Sequence, residues 1–195
     1  AKFKEYREGE NPAAWLGNLK EALPSPSKVK DNKHEGLGTI PHHNALPWKE
    51  MPAFMSHLKT MRGFSALALR FTILTATRTS EVRFARWDEF DLEKKQWDIP
   101  RARMKARRDH RVALSDVAVE ILRVMPKMGE YVFQGGRNDK PMSSGAMLAV
   151  LRRMDYRDKT TVHGFRSTFR DYIGEETGFP HRLAEYALAH QLKDG

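Results

Sequence analysis

Beyond Pro47 the apolar side chains fall into a regular pattern. Phe64, Leu67, Phe71 and Leu74 recur at intervals of three and four, which gathers them on one helix face and predicts a core helix ending near Thr75-Ala76-Thr77. Arg78 follows at a turn, and Thr79 or Ser80 caps a short helix that carries Glu81, Val82 and Ala85. β character comes next, around residues 87–90, 96–99 and 110–114, broken by Glu93-Lys94-Lys95 and by a basic run from Arg101 to Arg111. A small antiparallel sheet accounts for this stretch. Ser115 then caps a helix with Val117, Ala118, Ile121, Leu122 and Met125 inward, and Tyr131-Val132-Phe133 before Gly135-Gly136 forms a short strand or turn. Ser143 or Ser144 opens a helix with Met147, Leu148 and Leu151. Phe165, Phe169, Tyr172 and Ile173 mark another, and Pro180 starts a last one with Leu183, Ala187 and Leu188 inward. The sum is an α+β fold, mainly helical, with a small antiparallel sheet on one edge.

The amino-terminal quarter lacks this regularity. Trp15, Leu16 and Leu19 suggest a short amphipathic helix, after which Pro24, Pro26, Gly36, Gly38, Pro41 and Pro47 stand among lysines. We read residues 1–23 as the end of one domain, 24–47 as an extended basic linker and 48–195 as the principal domain. The charged start, Ala1-Lys2-Phe3-Lys4, reads as the inside of a longer gene product and not as a leader. No apolar run approaches the ~18 residues of a membrane span. His34, His42 and His43 lack zinc-ligand spacing and a carboxylate set, so they are read as solvated linker histidines and no metal is expected.

Composition adds two constraints. With 195 residues and a formal charge of +9, the chain invites a polyanionic partner, nucleic acid first, although a solvated Lys/Arg surface without function gives the same balance. The absence of cysteine excludes disulfides and thiolate zinc sites, and fits a reducing cytoplasm.

Candidate chemistry lies in a few basic positions. His163, Arg166 and Arg170 are spaced i, i+3, i+7 and so share one helix face, expected to be wet and basic, opposite Phe165, Phe169, Tyr172 and Ile173. A His one turn before an Arg at a helix start suits an anion, since both add donors to the free backbone N–H groups. Arg78 stands at a helix junction with Glu81 three residues on, Lys105 lies in the basic connection of a hairpin, and His190 ends the last helix. Each has a plainer alternative: Arg78 could cap a helix carboxyl end, His190 could satisfy buried carbonyls, and Lys105 could belong to a solvated loop.

Taken in order, these residues resemble the tyrosine recombinases, and within them the phage- and genomic-island-type integrases. That family carries an Arg with an acid three residues on, a Lys in a β-hairpin, a His-x-x-Arg helix, a His or Trp, and then a Tyr. The matching positions are Arg78 and Glu81, Lys105, His163 and Arg166, and His190. The resemblance runs from about residue 46 to the end and takes in Trp87-Asp88-Glu89 and Arg103-Met104-Lys105, while residues 1–20, with Gly9 to Ala13, look like the tail of the family's core-binding domain.

The resemblance implies a tyrosine-recombinase-like catalytic domain over residues 48–195. It implies integration or excision of a prophage or mobile element through a 3′-phosphotyrosine, without metal or cofactor. Lys105 is then the general acid on the leaving oxygen. His163 assists proton transfer or binds the scissile phosphate, Arg78 and Arg166 clamp that phosphate, His190 donates to a non-bridging oxygen, and Glu81 supports the pocket. Arg101, Arg103, Arg107, Arg108 and Arg170 are expected to contact DNA. The implied partners are double-stranded attachment sites, three further copies in a tetramer on DNA, and excisionase and DNA-bending proteins, in the bacterial cytoplasm at the nucleoid. The family's tyrosine follows the last His or Trp, and no tyrosine follows His190. Tyr156, Tyr172 and Tyr186 are read as packed aromatics, so the chain is expected to bind DNA without cleaving it, as a catalytic domain truncated at its carboxyl end. Two other readings share the residues: a type IB topoisomerase and a non-catalytic DNA-binding module.

Overall fold

The computed structural model describes residues 44–136 and 140–190. All of them belong to a unit that begins at His43. The expected helix at 11–19, most of the linker and the three histidines at 34, 42 and 43 lie outside the described residues.

A 3-10 turn, Trp48–Glu50, leads into α1 (Met51–Thr60), followed by α2 (Phe64–Thr75) and the short α3 (Thr79–Arg83). A three-stranded antiparallel sheet comes next, β1 (Phe90–Asp91), β2 (Gln96–Ile99) and β3 (His110–Ala113), in the order β1-β2-β3. Four helices complete the described chain: α4 (Asp116–Val124), α5 (Ala146–Arg153), α6 (Gly164–Glu176) and α7 (His181–Ala187). The fold is mostly helical with one small sheet, as the apolar pattern predicts. No helix among the described residues is long and apolar enough to cross a membrane.

The core is built on α2, whose Ala66, Ala68, Leu69 and Phe71 are fully buried. Such an apolar helix has to be enclosed on several sides, and α1, α3, α4 and α5 pack around it. The sheet covers a further side. Trp97 and Ile99 alternate inward along β2 while Gln96 and Asp98 face out, the period of two expected of a half-buried strand. Trp97 sits opposite Val112 and Ile99 opposite His110. Phe71 of α2 meets Trp97 and Phe133 at centroid distances of 5.6 and 5.4 Å, and Phe90 stacks on Trp97 at 5.1 Å.

Several expectations are corrected. The last residues of the expected linker are packed: Leu46 is buried, its carbonyl accepts the Thr168 hydroxyl at 2.6 Å, and the Asn44 carbonyl accepts the Thr161 N–H at 3.0 Å. Arg78, and not Thr79 or Ser80, occupies the N-cap position of α3. Ser115 does cap α4, its Oγ accepting from the Ala118 N–H, and Ala118, Ile121, Leu122 and Met125 are buried as expected, but Val119 joins them and Val117 is exposed on the flank. Gly145, not Ser143 or Ser144, precedes α5. On α7 the i, i+4 pair Ala184 and Leu188 turns inward, which leaves Leu183 and Tyr186 exposed by more than half. Tyr172 of α6 is also exposed and meets only Trp48, edge-on at 5.7 Å, so of the three tyrosines read as packed only Tyr156 meets the core, edge-on to Phe54 at 4.8 Å.

The start of α6 is held closely against the segment at 44–46. A Cβ at Gly164 would collide with the Asn44 carbonyl and crowd Thr160 Oγ1 and the Cα of Ala45. His163 immediately precedes this contact, so its position is tied to the fit of the two segments.

Candidate active site

The site is assembled where two helices end. α2 stops at Ala76, whose φ of 49° is left-handed and whose N–H bonds the Ile73 carbonyl. α7 stops in the same way: Ala189 has a φ of 48°, its N–H bonds the Tyr186 carbonyl at 2.9 Å, and the His190 N–H reaches back to the Glu185 carbonyl at 2.9 Å. That pair of bonds is the Schellman pattern, with alanine where glycine is usual. Two helix carboxyl ends, each carrying partial negative charge, therefore meet at one place.

Arg166 occupies that place. Only 4% of it is exposed, which corrects the expected wet basic face. Nη1 donates to the Ala76 carbonyl and Nη2 to the Leu188 carbonyl at 2.6 Å, so the guanidinium bridges the ends of α2 and α7. Burial lowers its pKa to about 10, helped by the charge on Arg78 and opposed by Glu81 and Glu185, so it stays protonated at neutral pH. Its Nε has no partner among the described residues.

Arg78 lies beside it and is held by Glu81. Glu81 Oε2 accepts the Arg78 backbone N–H at 2.7 Å, an acidic cap on the first turn of α3, while Oε1 pairs with Arg78 Nη1 at 2.8 Å. The carboxylate is 2% exposed and the Arg78 side chain 19%. Arg78 Nη2 also points at the Leu188 carbonyl, at 3.5 Å. Both guanidiniums thus converge on one oxygen at the end of α7.

His190 completes the floor. Its Nε2 lies 3.2 Å from Arg166 Nη2 and its Nδ1 lies 2.6 Å from Glu185 Oε2. Above the floor is a cavity of about 430 Å³ lined by Arg78, Lys105, Ala106, His163, Ala189 and His190. Four of the five expected catalytic side chains line this space, and the fifth, Arg166, touches His190 from beneath. Among the described residues no tyrosine lines it, and no cluster of three or more His, Asp or Glu is placed to hold a metal ion.

The residues expected to contact DNA divide. Arg101, Arg107 and Arg108 are exposed on the connection between β2 and β3, with Lys105 among them, and Arg170 is half exposed beside Asp171. Arg103 turns inward instead. Its Nη2 pairs with Glu89 Oε2 at 2.5 Å and its Nη1 donates to the Glu81 carbonyl at 3.2 Å. Glu89 also accepts the Trp97 indole N–H at 2.9 Å. The segments around Glu89 and Arg103 are therefore in contact, and together they fasten the hairpin to the helix that bears Glu81.

Two residues escaped sequence reasoning. Glu185 stands five positions before His190, a spacing that places two side chains well apart on a regular helix, and only the left-handed Ala189 brings them together. His110 of β3 is half-buried, and burial depresses its pKa, opposed by Glu81 and by the Ala187 carbonyl and reinforced by Arg166 and Arg78. Neither carries a local motif. For Glu185 the one signal available was the acid itself beside Ala184 and Tyr186, and for His110, between Asp109 and Arg111, there was none.

Comparison with known proteins places this geometry in a family. The phage integrase family matches residues 44–193. Prophage integrase IntZ of Escherichia coli (strain K12) is 39% identical over 158 residues, covering 78% of this chain and 39% of IntZ. The integrase of Enterobacteria phage P4 is 36% identical over 173 residues, with the same two coverages. The chain thus spans 39% of the length of these relatives. Among solved structures, the Tn1549 transposon integrase in complex with transposon right end DNA superposes with a TM-score of 0.65 at 13% identity, over 89% of this chain and 74% of that one. The XerA recombinase gives 0.58 at 15% identity, over 90% and 74%. At these identities the structural likeness is one of fold, and the sequence matches carry the assignment: the chain belongs to the phage integrase family of tyrosine recombinases.

Proposed function

We propose that the chain carries the catalytic domain of a site-specific DNA recombinase that integrates or excises a prophage or other mobile element. The observation behind this reading is the gathering of Arg78, Lys105, His163 and His190 around one cavity over the buried Arg166. A phosphodiester attacked by a side-chain oxygen gains charge on its non-bridging oxygens, and donors fixed in advance stabilise that charge without reorganising. Arg78 and His190 serve these oxygens. Arg166 touches His190, shares the Leu188 carbonyl with Arg78, and adds its positive charge from below. Lys105, on the exposed connection, protonates the departing 5′-oxygen, and His163 at the start of α6 binds the phosphate or passes the attacking proton. The chemistry requires no metal ion among these groups.

The substrate in this reading is duplex DNA at an attachment site, held by several copies on one junction, in the bacterial cytoplasm. The structural neighbours that support such an assembly include a lambda integrase tetramer bound to a Holliday junction. Because Tyr131, Tyr156, Tyr172 and Tyr186 all lie off the cavity, the nucleophile comes from outside the described residues.

A nicked suicide duplex tests the proposal. The longer recombinase carrying this chain forms a covalent adduct, and Arg78→Ala abolishes it while DNA affinity falls less than about tenfold, since one phosphate contact is a small part of the interface. The 195-residue chain alone forms only a non-covalent complex. Undiminished adduct from the Arg78→Ala protein would overturn the active-site reading, and an adduct with the chain alone that survives Tyr6→Phe would overturn the placement of the nucleophile outside the described residues.

A further inference from the structure

The turn that ends α7 delivers His190 to a carboxylate. Glu185 Oε2 is 2.6 Å from His190 Nδ1, and the Glu185 side chain is only 16% exposed. An ionised carboxylate can only accept, so Nδ1 carries the hydrogen. Across the ring, Nε2 faces Arg166 Nη2 at 3.2 Å, and a guanidinium can only donate, so Nε2 offers it a lone pair. These two neighbours leave a neutral imidazole one arrangement: N–H toward Glu185, lone pair toward Arg166.

We propose that Glu185 is a positioning residue that selects the Nδ1–H tautomer of His190 and turns its Nε2 edge toward the phosphate pocket. The functional half rests on the reading of that pocket given above. In the neutral tautomer Nε2 has no hydrogen to give to a phosphate oxygen. Donation therefore belongs to the doubly protonated ring: a hydronium ion of the solvent gives its proton to the Nε2 lone pair and leaves as water, the Arg166 N–H turns from the ring to other acceptors, and Glu185 balances the new positive charge. No covalent bond of the ligand changes in this step. The charged and titratable groups around the ring are Glu185 and His181 of α7, Arg166 of α6, Arg78 at the start of α3, and Lys105 and His163 across the cavity. His181 Nε2 is 3.7 Å from Glu185 Oε1, on the carboxylate oxygen that does not meet His190. It is largely exposed and acts as a neighbour of the pair, not as a member of it.

Nitrogen NMR on the full chain with labelled histidine reads the tautomer without DNA. The expected wild-type spectrum has His190 protonated at Nδ1 and bare at Nε2. Glu185→Gln keeps that tautomer, because the amide oxygen still accepts, whereas Glu185→Ala frees the ring to rotate off the Arg166 donor and populates the Nε2–H form, and His181→Ala leaves it unchanged. Adding inorganic phosphate to the wild type protonates the second nitrogen. The same addition to Glu185→Gln gives a weakened response, because the compensating charge is gone. An Nε2–H tautomer in the wild type overturns the proposal whatever the variants do, as does a Glu185→Ala chain that stays folded with the wild-type pattern. If phosphate perturbs neither His163 nor His190 while the tautomers behave as expected, the phosphate pocket fails and the role of Glu185 on His190 stands.

Discussion

The floor of the pocket and the hairpin connection beside it both concentrate positive charge, and they hold it by opposite means. On the floor, Arg78 and Arg166 are largely withdrawn from water and committed to Glu81 and to the carbonyls that end α2 and α7. On the connection, Arg101, Lys105, Arg107 and Arg108 reach into solvent, and Arg107 sits at a left-handed φ of 51° that keeps the turn tight. A buried charge acts through a low local dielectric and cannot move without breaking partners, whereas an exposed one is screened by salt and adapts to whatever it meets. In the proposed function the floor orients one phosphate and the connection attracts many. Arg103 belongs to the first group although its neighbours in sequence belong to the second.

The most damaging way to break the floor is to remove its acid. Glu81→Ala leaves two neighbouring guanidiniums without their buried carboxylate and strips the cap from α3. Removing one partner of a buried ion pair costs about 3–5 kcal/mol, and that loss is expected in urea unfolding of this chain. A change below about 1 kcal/mol, the scale of a surface pair, would mean that the floor is as solvated as the hairpin.

How far this division could be read from sequence follows the same line. The alternating β2 is legible because burial on one face imposes its pattern, whereas α2 is enclosed on several sides and its expected stripe fails in detail: Phe71 is buried, Leu67 and Leu74 are only partly so, and Phe64 is exposed. The positions of Arg78, Lys105, His163 and His190 stand out only through the order they share with the family the chain resembles, since each taken singly fits a plainer role. What is hidden depends on tertiary convergence. The i, i+3, i+7 spacing of His163, Arg166 and Arg170 defines a face but cannot say that two helix ends close over Arg166 alone. Glu185 was hidden because alanine, not glycine, holds the left-handed position that folds His190 back, so the usual sign of a helix end is missing at Ala189. Arg103 was hidden by company: among six basic residues, only the 3-10 turn at Arg101–Arg103 and the carboxylate of Glu89 determine which one turns in.

Arg103 and its neighbours also offer a sharper test of the comparison, with a smaller effect. Arg103→Ala removes charged hydrogen bonds to Glu89 and to the Glu81 carbonyl, so unfolding stability is expected to fall by about 1.5–3 kcal/mol. Arg107→Ala with Arg108→Ala is expected to change stability by less than about 0.5 kcal/mol. The same double substitution lowers the slope of log affinity for duplex DNA against log salt by about one for each arginine that had faced a phosphate. Should Arg103→Ala behave like the other two, the assignment of Arg103 to the floor is wrong.

The smallest effect tests the seam between the two regions, where His110 of β3 lies close to the end of α7. Burial lowers its pKa from the ordinary value, with the Arg166 and Arg78 charges adding to the shift and Glu81 and the Ala187 carbonyl opposing it. Between the lowered value and about 6.5, the unfolded chain binds a proton at this position more readily than the folded one. Stability therefore rises with pH across that interval: the contribution is complete above about pH 6.5 and is lost as pH falls through the lowered value. The size is modest, because the ring is only half-buried and solvent screens it. The lowered carboxyl groups of Asp91, Asp98 and Asp116 act in a separate window, since they start from 3.8 and lose their contribution only at more acid pH. Urea unfolding of the wild type and of His110→Gln at pH 7.5 and 5.5 isolates the imidazole. The wild type should lose more stability on acidification than the variant. Equal losses would show that protonating His110 does not disturb the folded floor, and that the sheet and the end of α7 meet there without electrostatic coupling.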